Sequence, residues 1–326
     1  MMKEIPIQKL TGFRFGHAQN SDALTGCSVI ICEDGAVGGV EVRGGAPGTR
    51  ETDALKPENL VEEVHGVFLS GGSAFGLDVA NGVMKFLEEK NVGFDVQVTK
   101  VPIVSGAILF DLYPGDSNVR PDSQMGYKAC IMAYSNNVFK QGSAGAGMGA
   151  TVGKCLGSDY VMRGGIGSYA IELGDLQIGA VIAVNAFGDI IDPVTNQILA
   201  GVYDRSKQIF LRSDKQMLKQ LEKKATNRFT GNTTIGSIMT NAKLSKSQVN
   251  KIAAIAHDGF ARTIRPSHTL VDGDTLFALS TNKIETDLNV LSMLASMVVE
   301  NAVMNAVKNA ETAFQIPSHS NLEKCL

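Results

Sequence analysis

The sequence predicts a mixed α+β fold from three observations. Short apolar runs rich in Val and Ile recur between glycine-rich turns, as strands do. A strand, a glycine turn and a helix follow one another directly over 67–89. Near the C-terminus, two segments from about 245 to 263 and about 286 to 310 carry the buried faces of long helices. The chain has 326 residues and is 44% apolar, enough for one large domain or two modest ones with a substantial core.

In chain order, 27–32 reads as a buried strand whose natural partner is 37–42. The connection Glu33-Asp34-Gly35-Ala36 contains an Asp-Gly pair and predicts a β-hairpin. The loop 43–53 is rich in Gly and Pro and reads either as a surface turn or as the lining of a site. The strand 67–70 leads into Gly71-Gly72-Ser73-Ala74-Phe75-Gly76 and a helix from near Leu77 to Glu89. That turn lacks the Walker pattern, and Ser73 is not centred in G-x-S-x-G, so close helix–strand packing explains its glycines better. A further apolar segment covers 101–104 and 108–112.

The glycine cluster 142–157 imitates a Walker loop, but Met148 stands where its first glycine should be and Cys155 where Ser or Thr should be. Lys154 then reads either as a group stabilising negative charge in another kind of site or as a solvated surface lysine. The runs 164–170 and 177–184 look like paired strands, the second ending at Asn185. A side-chain amide there is either an oxyanion donor or an ordinary turn asparagine. The segment 203–230, with Lys215, Lys219, Lys223, Lys224 and Arg228, reads as a solvated helix or a mobile linker.

Thr230-Gly231-Asn232-Thr233-Thr234 reads as a polar turn running into the strand 234–240. A cut between Asn232 and Thr233 would put a hydroxyl nucleophile and an amine base on one residue. Such an amine has a pKa of about 7.7–8, so part of it is neutral near pH 7. On local sequence alone the stretch reads first as an ordinary turn, and Asn232-Thr233-Thr234 also fits an N-glycosylation site, which matters only in a secreted eukaryotic protein. Ser245-Lys246-Ser247-Gln248 forms a capping box opening a helix to about Thr263, with Ile252, Ile255, Ala256 and Phe260 buried. His257 and Asp258 on that helix read as structural. Asp272 and Asp274, just before the strand 276–280, point the same way if extended. They would orient a hydroxyl and an ammonium, or else close an Asx-turn. Leu291, Leu294, Met297, Val298 and Val303 give the last helix its core, and Glu300, Asn301 and Asn305 argue against a membrane span.

A net charge of −3 gives no reason to expect nucleic acid or an anionic membrane as partner. Residues 1–11 lack the basic start and apolar run of a secretory signal. Cys27, Cys32, Cys130, Cys155 and Cys325 are scattered and form no C-x-x-C pair, as buried free thiols of a cytosolic protein would be. The five histidines show no H-x-x-x-H spacing, and neither a metal nor a cofactor is indicated.

Taken together and in this order, the stretches 43–53, 70–78, 149–154, 184–188, 232–236 and 265–274 resemble the self-processing DmpA-type family of L-aminopeptidases/D-amidases. That family also contains β-aminopeptidases and nylon-oligomer hydrolases. The resemblance spans nearly the whole chain. It implies a four-layer αββα sandwich of the N-terminal-nucleophile type, formed by one domain over 1–326. It further implies self-cleavage into an α-fragment (1–232) and a β-fragment (233–326), acting in the cytoplasm as a homo-oligomer, a tetramer of αβ pairs. By the same resemblance Thr233 is the nucleophile, its freed amine the base and Asn185 the oxyanion stabiliser. Lys154, Asp272 and Asp274 match the polar groups around the nucleophile in the nylon-hydrolase branch. The aminopeptidase members carry a Glu and a Tyr just before the Asp that aligns with Asp111. Ile108 and Phe110 stand there instead, so these substrate-pocket candidates fit an amidase acting on an acyl group without a free ammonium. Ornithine-acetyltransferase-like acyl transfer and a non-catalytic scaffold are the competing readings of the same residues.

Overall fold

The strand Thr25–Val42 sets the architecture. It is 18 residues long and joins two halves of a ten-stranded sheet. The computed structural model describes residues 1–222 and 231–323. Lys223, Lys224, Arg228, Thr230 and Cys325 lie outside the described residues. In chain order the sheet strands are β1 (Met2–Ile5), β2 (Arg14–Asn20), β3 (Thr25–Val42), β4 (Thr49–Arg50) and β5 (Glu63–Ser70). They continue with β6 (Val104–Ile108), β7 (Gly165–Leu173), β8 (Leu176–Asn185), β9 (Thr233–Ala242) and β10 (Thr275–Ile284). The principal helices are α1 (Val79–Glu89), α2 (Ser123–Ser135), α3 (Ser213–Glu222), α4 (Lys246–Thr263) and α5 (Leu288–Lys308). The strand order is β1-β7-β8-β9-β10-β3-β5-β6-β4, with β2 also pairing β3.

The expected hairpin between 27–32 and 37–42 does not form. The two runs are halves of β3, which pairs β2 through its first half, β10 through its second, and β5 through the first half and on to Ala36 and Val37. The register against β5 shifts between Ile31 and Ala36, and Gly35 sits there at φ 81°. A glycine in the left-handed region serves a bulge as well as a turn. Here it bends the strand from one layer to the next.

Side-chain alternation along the strands then builds three cores. Ile178, Ala180, Ile182 and Val184 of β8 face α4 and α5, meeting Phe260, Val298 and Val303. The other face of β8, through Val181 and Ala183, joins Ile235, Met239, Phe277 and Leu279 of β9 and β10 against Ile30, Val67 and Leu69 of the opposite half-sheet. Cys27, Val29, Ile31 and Phe68 pack under Val79, Val83 and Leu87 of α1 and Ala129 and Ala133 of α2. Helix, sheet, sheet, helix is the expected αββα order.

α4 starts at the expected capping box: the Ser245 hydroxyl accepts the Gln248 N–H while the Gln248 side chain accepts the Ser245 N–H. α5 is apolar and long enough to cross a membrane by composition alone, and in the fold it packs on β7, β8 and α4. Cys27, Cys32, Cys130 and Cys155 are buried free thiols, and burial pushes the thiols of Cys130 and Cys155 up to about 12.

α5 lies directly on the backbone of β7. A Cβ at Gly167 would come within 2.1 Å of the Ala302 carbonyl oxygen and 2.4 Å of the Ala306 nitrogen. Gly167→Ala should therefore cost about 1–3 kcal/mol through overpacking. Urea unfolding would show it as a lower midpoint at unchanged slope. An unchanged midpoint would mean that α5 can shift off the sheet freely.

Candidate active site

Three strand ends meet at one edge of the sheet. β8 ends at Asn185, which pairs with Thr233, the first residue of β9. β9 and β10 run parallel, with Ile235 opposite Thr275, and a bridge joins Asn232 to Asp272. Asn232, Thr233, Asp272 and Asp274 are all buried, at 2–3% exposure. The chain continues unbroken through Asn232–Thr233, and the Thr233 hydroxyl donates to the Asn232 carbonyl oxygen. That oxygen also accepts the Gly273 N–H at 3.1 Å.

The turn before β10 is held by its two carboxylates. Asp272 accepts the Thr269 N–H (3.1 Å) and hydroxyl through one oxygen and the Phe187 N–H (3.3 Å) through the other. Asp274 reaches across to the Thr234 N–H at 2.8 Å. Its second oxygen accepts the His268 N–H (3.0 Å) and faces His268 Nδ1 at 2.8 Å. Burial first, and the neighbouring Asp274 second, push the Asp272 carboxyl up to about 6. The glycine-rich loop after β3 docks on this turn: Arg43 N–H donates to the Asp274 carbonyl (3.0 Å) and Ala46 N–H to that of Asp272 (2.8 Å). The loop thus joins both readings: Arg43, Gly45 and Pro47 are exposed at the surface while its N–H groups pack on the 272–274 backbone.

Lys154 is buried at 5% exposure, not a solvated surface lysine. Its ammonium donates to the Asn185 side-chain oxygen (2.7 Å), the Asn185 carbonyl (3.0 Å) and the Gly231 carbonyl (3.1 Å). Burial lowers its pKa to about 7, with Asp272 and Asp111 pulling the other way. The Asn185 side-chain oxygen also accepts the Thr151 N–H at 3.0 Å, and its amide group donates to the Phe110 carbonyl at 2.9 Å. Asp111, next to Phe110, accepts the Gly72 N–H (2.6 Å) and the Thr25 hydroxyl (2.8 Å), tying the 70–78 glycine turn to the site wall.

A cavity of about 180 Å³ opens beside these groups, lined by Phe110, Tyr113, Thr151, Lys154, Ser158, Val161 and Gly231 among others. Among the described residues no carboxylate lines it, and Lys154 is the one charged group that does. Phe110 lies over Gly231, whose φ of 61° and closeness to the ring leave no place for a side chain. Ile108 is turned away into the apolar cluster with Phe68 and α1. The structure thus gathers Asn232, Thr233, Asn185, Lys154, Asp272, Asp274 and Phe110, and leaves Ile108 outside. Sequence reasoning gave no role to Gly273 or His268. The left-handed backbone of His268, φ 55°, is invisible in the sequence.

Residues 7–320 match peptidase family S58. The chain is 38% identical to an uncharacterized aminopeptidase of Mycobacterium leprae, with 97% of this chain and 93% of that one aligned. It is 32% identical to the 6-aminohexanoate-oligomer endohydrolase of Kocuria sp., over 91% and 84% of the two chains. The solved structure of the L-aminopeptidase D-Ala-esterase/amidase from Ochrobactrum anthropi, described as a variant of the Ntn hydrolase fold, superposes with a TM-score of 0.70 at 17% identity. It covers 98% of this chain and 92% of that one. That likeness concerns the fold.

Lys154 supplies a test of the site's burial. Folded, it loses its proton near pH 7; unfolded, only near 10.5. Unfolding therefore takes up a proton between these values, and stability should rise with pH across that window. Urea midpoints at pH 7 and pH 10 should increase for wild type relative to Lys154→Met. Equal slopes in the two proteins would show that Lys154 stays charged in the fold.

Proposed function

The chain belongs to peptidase family S58, and from that premise we propose that it cuts itself before Thr233 and then hydrolyses amides through an acyl-enzyme on the Thr233 hydroxyl. That it acts on amide or peptide bonds follows from the family itself. The observation that carries the finer reading is the Thr233 hydroxyl resting on the carbonyl of its own preceding peptide, in a buried turn braced by Asp272 and Asp274. A hydroxyl so placed is positioned for attack without a search.

After self-cleavage the freed amine of Thr233 has an ordinary pKa of about 7.7–8 and serves as base for its own hydroxyl. Substrate acylates the Thr233 Oγ, the amine product leaves, and water hydrolyses the ester. In this reading Asn185 stabilises the oxyanion of substrate turnover, and Lys154 fixes the Asn185 side chain by its 2.7 Å hydrogen bond. Asp274 holds the backbone next to the nucleophile, and Asp272 holds the turn that presents it. A homo-oligomer of αβ pairs goes with the same reading.

The cavity beside Lys154 defines the substrate side. With no carboxylate and one buried lysine among its described lining residues, it suits a neutral, partly apolar acyl group rather than an ammonium. Small amides and peptides whose acyl end carries no nearby free amine are the substrates this geometry favours.

Two measurements check these points. Intact masses of freshly purified protein should show fragments 1–232 and 233–326, while Thr233→Ala stays whole; a wild-type chain uncut after long incubation would remove Thr233 from the mechanism. For a matched pair of amides, N-acetylated and free-amine, kcat/KM should favour the acetylated one at least about tenfold, equivalent to ~1.4 kcal/mol in the barrier. The reverse preference would place an unrecognised anionic group in the pocket.

A further inference from the structure

We propose that the backbone N–H of Gly273 is the oxyanion donor for the self-cleavage step, so that self-cleavage and substrate turnover draw on different donors. The proposal rests on the self-processing reading and adds the group that would stabilise its transition state. Attack by the Thr233 hydroxyl forms the Oγ–C bond to Asn232 while the carbonyl π pair moves onto the Asn232 oxygen. When that pair returns, the C–N bond to Thr233 breaks and the hydroxyl proton ends on the departing nitrogen. Water then cleaves the ester, leaving the Asn232 carboxylate and a Thr233 with free hydroxyl and amine.

The charge therefore develops on the Asn232 carbonyl oxygen, and the Gly273 N–H already reaches it at 3.1 Å. Effective oxyanion donors lie about 2.7–3.1 Å from where the oxyanion will sit, so a small movement of the oxygen toward Gly273 on attack would bring this bond within that range. The Asn185 amide group is turned to the Phe110 carbonyl instead, and the Lys154 ammonium is on the Gly231 carbonyl, one residue upstream. The Gly273 peptide is fixed from both sides: the Asp272 carbonyl accepts the Ala46 N–H at 2.8 Å, and the Asp274 carbonyl accepts the Arg43 N–H at 3.0 Å. A donor held this way needs no reorganisation when charge appears.

Residue identity supports the same role. A Cβ at position 273 would lie 2.8 Å from the Thr233 Oγ and 2.7 Å from the Ala46 carbonyl oxygen. Only glycine lets this N–H and the Thr233 hydroxyl approach one carbonyl together.

The test removes the N–H without adding a side chain. The full chain is made by in vitro translation with glycolic acid in place of Gly273, which turns that amide into an ester, and cutting is followed by intact mass. Self-cleavage should slow about 100-fold against wild type made the same way, the size of loss typical of one oxyanion donor. The same replacement at Gly126, whose N–H donates to the Asp122 carbonyl at 3.0 Å in the first turn of α2, should leave the rate within about threefold, well short of that loss. Cutting of the Gly273 ester at the wild-type rate, or equal slowing of both esters, overturns the assignment while leaving self-processing intact. A wild-type chain that never cuts overturns both. If the Gly273 ester is misfolded by limited proteolysis, the decision passes to the uncut Thr233→Ala chain with 15N-Gly and 13C-Asn labels. A scalar coupling across the hydrogen bond between Gly273 N and the Asn232 carbonyl carbon supports the proposal, and its absence overturns it.

Discussion

Two neighbouring strands that run in the same direction begin at the same edge of the sheet, and the site follows from that constraint. β9 and β10 are parallel and α4 carries the chain back between them. Their first residues, Thr233 and Thr275, and the turns that precede them are thereby side by side. β8 runs antiparallel to β9, so its last residue, Asn185, arrives at the same edge. Had β10 been antiparallel to β9, ten residues of strand at about 3.3 Å each would have put Asp272 and Asp274 roughly 30 Å away.

That edge buries charge, and its hydrogen bonds are arranged to carry it. An unpaired ammonium or carboxylate out of water costs several kcal/mol, on the order that would unfold a domain. Lys154 meets three oxygens, Asp272 meets the Thr269 and Phe187 backbone, and Asp274 meets Thr234 and His268. The burial that remains uncompensated shows in the pKa values: Lys154 comes down to about 7 while Asp272 and Asp111 go up to about 6. Shifts of this kind gather where ionisable groups are buried together, as they are at functional sites.

The glycine-rich stretches acquire a common meaning. Gly44 lies so close to the Asp272–Asp274 backbone that a Cβ would come within 2.3 Å of it, Gly231 lies under the Phe110 ring, and Gly273 touches the Thr233 hydroxyl. Backbone is brought against backbone, and at Gly273 this lets one N–H and the Thr233 hydroxyl meet the Asn232 carbonyl. In the proposed reading the cavity lined by Phe110 and Lys154 would receive the acyl group.

Features governed by near neighbours were legible in the sequence. The Ser245–Gln248 capping box, the buried face of α4, the pairing of β7 with β8 and the turn-to-strand junction at Thr233 all depend on residues a few positions apart. Their interactions persist whatever surrounds them. The order of motifs along the chain also carried the family resemblance, and with it Thr233, Asn185, Lys154, Asp272 and Asp274. What depended on distant partners was not legible. Asp34-Gly35 signals a bend, but only the pairing of β3 with β5 and β10 makes it a bulge within one strand rather than a hairpin. Ile108 and Phe110 share a parity that an extended strand would point one way; β6 ends at Ile108, so one side chain enters the core and the other the cavity. The amino-acid sequence by itself determined which groups are available and where the chain turns. Only the tertiary structure decided that Lys154 is dry and that Gly273 meets the Asn232 carbonyl, because burial and contact between segments 31 to 77 residues apart arise from the packing of whole layers.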